Sequence, residues 1–68
     1  IFKFKNFTAA FSWMIEVAFV AEKSDHHPDW KNIYNTVEVT LSTHDIGTLS
    51  NKDLELAKLM DELYEKFI

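Results

Sequence analysis

The chain has 68 residues, seven Lys/Arg against eleven Asp/Glu for a net charge of −4, no cysteine and no basic cluster. That balance excludes disulfides and thiolate metal sites, argues against nucleic acid or an anionic membrane as a direct partner, and fits a reducing compartment such as the cytoplasm. With 47% hydrophobic and 15% aromatic residues but one Gly and one Pro, the sequence reads as a single ordered domain, 1–68. A chain this short buries only about 60% of its unfolded surface, so its core has little to spare.

Ile1 to Lys5 alternates around Phe2 and Phe4 as a half-buried strand does. The chain starts on Ile1 inside that pattern, which leads us to expect a missing N-terminal piece. From Phe7 the period becomes helical. Phe7, Ala10, Phe11, Met14, Val17, Ala18 and Ala21 form the stripe expected to face the sheet, with Asn6 as N-cap. Ala9, Trp13, Phe19 and Val20 make a second apolar surface, expected to meet another subunit or the missing segment. The near-apolar run Ala9 to Ala21 falls short of the roughly 20 residues that span a bilayer.

Pro28 is expected to end the helix, because a residue before proline is pushed towards extended geometry. Trp30 to Asn35 and Val37 to Thr43 read as two strands with Asn35-Thr36 as the turn. Tyr34 would then face Val37, Asn32 face Val39 and Trp30 face Leu41, all on the core side. After a turn at Gly47, a last helix is expected from Asn51 to Phe67, with Ser50 and Asp53 resembling a capping box and Leu49 and Leu54 in staple positions. Leu56, Leu59, Met60, Leu63 and Phe67 would be its buried stripe.

All three histidines fall near one end of this hairpin. Extending the ladder outward sets Asp29 against Ser42 and His27 against His44, so His26, His27 and His44 are expected around one point. Three readings stand side by side. The imidazoles can be exposed turn residues beside Asp25 and Asp29. They can be a zinc set, although the His-x-x-x-His and His-x-His spacings are absent and adjacent residues on extended backbone point apart. Or they can move protons, since imidazole titrates near neutrality and a pair can hold one acid and one base, with Glu22, Asp25 and Asp45 close enough to fix a tautomer. A nucleophilic triad has no support: cysteine is absent, and Ser24, Ser42 and Thr43 lie in no elbow or glycine-rich loop.

The run AEKSDHHPDWKNIYNTVEVTLSTHD, followed by LSNKDLELA, resembles the pterin-4a-carbinolamine dehydratases. Glu22, Lys23, His26, His27, Pro28, Trp30, Tyr34, Thr43 and His44 follow that family's motif in order, and FKNFTAAFSWM resembles its strand-to-helix entry. The resemblance implies an α+β fold, an antiparallel sheet with helices packed on one face. This chain would be the C-terminal two thirds, without the N-terminal helix and first strand. It implies a hydro-lyase that removes water from a 4a-hydroxytetrahydropterin (4a-hydroxytetrahydrobiopterin) to give quinonoid dihydropterin, in tetrahydrobiopterin recycling after aromatic amino-acid hydroxylation, with no metal and no organic cofactor. His26, His27 and His44 would be catalytic, with His26 and His44 at the leaving hydroxyl. The pterin would contact His26, His27, Pro28, Thr43, His44, Asp45 and Ile46, with Glu22 and Asp25 behind the imidazoles. By the same resemblance the protein would be a homodimer or homotetramer. Asp53 matches an acid of the family's next helix but reads equally as a helix cap, and Trp30 reads as core first. A protein-binding module built on the central helix is the rival from another class, and a three-histidine metal site the third.

Overall fold

The computed structural model describes residues 1–41 and 51–68. Strand β1, Phe2–Lys3, leads into helix α1, Phe7–Lys23; strands β2, Asp29–Ile33, and β3, Thr36–Thr40, form a hairpin; helix α2, Asn51–Tyr64, ends in a 3-10 turn over Glu65–Phe67. The three strands make one antiparallel sheet in the order β1-β3-β2. The architecture is α+β, with two helices on the sheet face that carries Phe2, Trp30, Val37 and Val39.

Helix α1 begins where expected. Asn6 has extended backbone, and its side-chain oxygen accepts from the Ala9 amide at 2.8 Å, which satisfies one of the free N–H groups of the first turn. The face it buries is rotated from the stripe expected: Ala10, Val17 and Ala21 of that stripe are buried and Met14 packs against the core, but Ala9 and Trp13 join them while Phe7, Phe11 and Ala18 do not. Ala9, Ala10, Trp13, Val17 and Ala21 are buried, whereas Phe7, Phe11 and Ile15 are about half exposed and Phe19 is 74% exposed. Two features decide this rotation. The small residues Ala9, Ala10 and Ala21 let the helix axis approach its neighbours closely, where phenylalanines would hold it off. Trp13 meanwhile finds a partner for its indole N–H, which donates to the Met60 carbonyl of α2 at 3.2 Å.

Trp13 is therefore the centre of the core and not part of a docking face. Its ring lies 4.5 Å from that of Phe2, 5.4 Å from Phe4 and 6.2 Å from Trp30. Tyr64 closes the far side, edge-on to Phe2 and Phe4, with its hydroxyl donating to the Lys3 carbonyl at 2.6 Å. On α2, Leu56 and Met60 are buried and Leu63 partly so, as is Phe67 in the 3-10 turn, as the pattern implied, but Leu59 is exposed.

The hairpin also departs from the expected register. Trp30 pairs with Val39 and Asn32 with Val37, so the two loop residues are Tyr34 and Asn35 instead of Asn35 and Thr36. Moving the turn by one residue moves each partner by two, so the same side chains still face the core. Two amides set the turn. Asn35 donates from its side chain to the Phe4 carbonyl and accepts the Phe4 amide on its own carbonyl, both at 2.9 Å, which clamps the loop to the end of β1. Asn32 sits on the inner face and donates to the carbonyls of Tyr34 at 3.1 Å and Thr36 at 2.9 Å. Tyr34 consequently leaves the core: it is exposed, with a φ of 50°.

Candidate active site

Helix α1 stops before Pro28 can act on it. The Asp25 amide donates to the Glu22 carbonyl at 3.1 Å and the His26 amide to the Ala21 carbonyl at 3.0 Å, with Asp25 left-handed at a φ of 52°. That is the paired bonding of a Schellman motif, so the helix carries its own stop after Lys23. From Asp25 the chain leaves the helix, and His26, His27 and Pro28 run into β2. Consecutive side chains on such a segment diverge.

The two imidazoles accordingly have different surroundings. His26 is 13% exposed at its side chain and its Nε2–H donates to the Asp53 carboxylate, which is fully buried in the first turn of α2. It borders a cleft of about 350 Å³ between the C-terminal half of α1 and the start of α2, floored by Val20, Leu56 and Leu59. His27 is 57% exposed, and its Nε2–H donates at 2.9 Å to Glu22, one turn back on α1. It opens on a second cleft of about 440 Å³, walled by Ile15, Phe19, Pro28 and Trp30. A carboxylate only accepts, so the Nε2 of each ring carries the hydrogen that faces it, and Nδ1 is the nitrogen turned away from the carboxylate.

Several expectations meet the structure at this point. Glu22 hydrogen-bonds the imidazole of His27. Asp25 contributes backbone geometry, and its exposed carboxylate takes no hydrogen bond or ion pair among the described residues. The pairing that set His27 opposite His44 rested on the displaced register and loses its basis. Thr43, His44, Asp45 and Ile46 lie outside the described residues. Among the described residues no three His, Asp or Glu side chains gather as a metal site would require.

Asp53 is the residue that sequence reasoning underrated. A carboxylate three residues after a serine at a helix start reads as a cap, and nothing local shows that it reaches a histidine 27 positions away. The available signal was its match to an acid of the family's next helix, beside an Asp where a capping box usually has the longer Glu or Gln.

Comparison with known proteins agrees across sequence and structure. The family model for pterin 4 alpha carbinolamine dehydratase matches residues 1–63. A Jannaschia sp. (strain CCS1) relative, provisionally named pterin-4-alpha-carbinolamine dehydratase, is 66% identical over 62 residues, covering 91% of this chain and 63% of its own. One from Afipia carboxidovorans, named in the same way, is 56% identical over 66 residues, covering 97% of this chain and 66% of its own. The crystal structure of a transcriptional coactivator/pterin dehydratase from Brucella melitensis superposes with a TM-score of 0.91 at 46% identity, over 93% of this chain and 67% of that one. The chain thus spans just under two thirds of the length of these two curated relatives.

Proposed function

Because the chain belongs to the pterin-4-alpha-carbinolamine dehydratase family, we propose that it acts on a 4a-hydroxytetrahydropterin, removing water by histidine acid/base chemistry. The observation that carries this reading is His26, enclosed and held by a buried carboxylate beside a cleft. In the reaction the C4a–O bond breaks, the hydroxyl leaves as water after gaining a proton, and N5 loses its proton as the C4a=N5 bond forms. One group must give a proton and another take one, and the sum is loss of one water. His26 and His44 serve the leaving hydroxyl and His27 assists at the ring, with Pro28, Thr43, Asp45 and Ile46 completing the contact surface. Asp53 positions His26 and Glu22 positions His27. The quinonoid dihydropterin formed would return to a tetrahydropterin pool used in aromatic hydroxylation.

The test is a stopped-flow dehydration assay on enzymatically generated 4a-hydroxytetrahydropterin, comparing the unmutated chain with His26→Ala, His27→Ala and His44→Ala. Acceleration over the spontaneous rate, lost on substitution, is the expected result. A rate equal to background in the unmutated chain sinks the reading.

A second reading concerns assembly, and rests on the exposed ladder Phe7, Phe11, Ile15 and Phe19 at four-residue intervals along α1. Such a row of large apolar side chains favours cover by a second copy, as a homodimer or homotetramer, or by another protein. Phe11→Glu with Phe19→Glu is expected to lower the mass seen by sedimentation while the fold persists; an unchanged mass overturns self-association through this face. No helix among the described residues is long and apolar enough to cross a membrane.

A further inference from the structure

We propose that Asp25 is a positioning residue: its left-handed backbone, and not its carboxylate, turns the chain so that His26 and His27 reach opposite sides of α1. Only the activity part of the argument rests on the dehydratase reading.

Three observations converge on this assignment. First, Asp25 occupies the residue after the cap in a Schellman motif, where a φ of 52° is required and glycine is the usual occupant. Asp and Asn are the side chains that tolerate this region with least penalty, whereas a β-branched residue there is an outlier. Second, the motif fixes the next residue as well, since the His26 amide is the donor to the Ala21 carbonyl at 3.0 Å. The direction in which the His26 ring departs, towards Asp53 on α2, is therefore set one residue upstream. Third, the Asp25 carboxylate is exposed and unpaired among the described residues, while Glu22 and Asp53 hold the two rings.

A carboxylate that acted on the imidazoles would be expected against one of them. A continued helix would carry residue 26 onto the exposed face of Phe19 and Glu22, with residue 27 about 100° further round. The left-handed residue avoids both outcomes, because it ends the helix and starts the extended segment within one peptide unit. What the position demands is thus a conformation, which Gly and Asn also supply.

The experiment compares Asp25→Gly, Asp25→Asn and Asp25→Val in the full chain by three readouts: the imidazole N–H resonances in NMR, the folded-to-unfolded ratio in denaturant, and kcat with KM for dehydration. Asp25→Gly and Asp25→Asn are expected to keep the His26 Nε2–H resonance bonded to Asp53 and to hold kcat within about twofold. Asp25→Val is expected to lower the folded-to-unfolded ratio by a factor on the order of 10, and to lose that resonance. Loss of kcat in the Gly and Asn variants, with the His26 resonance intact, overturns the proposal in favour of a working carboxylate. Loss of the resonance in the Gly variant overturns it too. If Asp25→Val does not fold, the Gly and Asn variants decide the matter alone. If the unmutated chain does not accelerate dehydration, the reading of function fails while the resonances still judge the positioning role.

Discussion

His26 and His27 share a peptide bond, yet one imidazole is mostly enclosed against a buried carboxylate while the other stands at an open rim against a solvated one. Asp53 is held in the first turn of α2, inside the contact between the helices, whereas Glu22 is a surface side chain on α1 itself. Enclosure excludes water and fixes a ring before substrate arrives, which is where a positioned acid or base gains most. The adjacent pair is thus two half-sites of unequal enclosure, separated by the helix that ends just before them.

The largest expected effect tests that inequality directly. His26→Ala should lower kcat for dehydration by about 10²- to 10⁴-fold, the usual range for a lost general acid or base, while His27→Ala costs on the order of 10-fold. The stopped-flow assay measures both. Equal losses would collapse the comparison and make the pair a single couple.

Trp13 comes next, because from the core it joins elements of both half-sites. It packs on Trp30, which lines the cleft of His27, and hydrogen-bonds α2, which carries Asp53. Trp13→Ala should cost about 3–5 kcal/mol in urea unfolding. Phe19→Ala, on the exposed face of the same helix, should cost the monomer less than about 0.5 kcal/mol. A similar cost for the two would mean that the apolar ladder is already covered within one chain.

How much of this was legible in the sequence depends on what each element needed. The start of α1 was readable because Asn6 acts locally, on an amide three residues away. The buried face was readable only at Ala10, Val17 and Ala21, because α1 is apolar almost all round and periodicity names a stripe only when polar residues mark the rest. Choosing among its faces required Met60, 47 positions distant, to receive the Trp13 indole. The hairpin existed where the pattern put it, but its turn was set by Asn35 clamping Phe4, a tertiary contact that turn propensities do not contain. The HHP motif and its relation to the family were legible at once. The partner of His26 was not, since Asp53 has a complete local explanation as a helix-start residue.

The two carboxylates separate the half-sites on the stability axis as well. Asp53→Ala removes a hydrogen bond between an imidazole and a buried carboxylate and should destabilise by about 1.5–3 kcal/mol. This is measurable as a shift of the urea midpoint at constant slope.

The smallest effect is expected at Glu22, and its smallness is the point. The pair it forms with His27 is solvated on both sides, with side chains 82% and 57% exposed, so water already competes for each partner. Exposed pairs of this kind contribute about 0–1 kcal/mol, and ions within a Debye length of about 8 Å at physiological salt weaken them further. Glu22→Gln keeps an oxygen that can accept from Nε2 and removes only the charge. Stability should stay within about 0.5 kcal/mol of the parent, and raising salt should shrink even that difference. Asp53→Asn makes the same change of charge where no water can replace the lost interaction, so its loss should persist at high salt. Salt therefore distinguishes the two half-sites: a Glu22→Gln effect as large and as salt-resistant as that of Asp53→Asn would show that His27, too, works in an enclosed site.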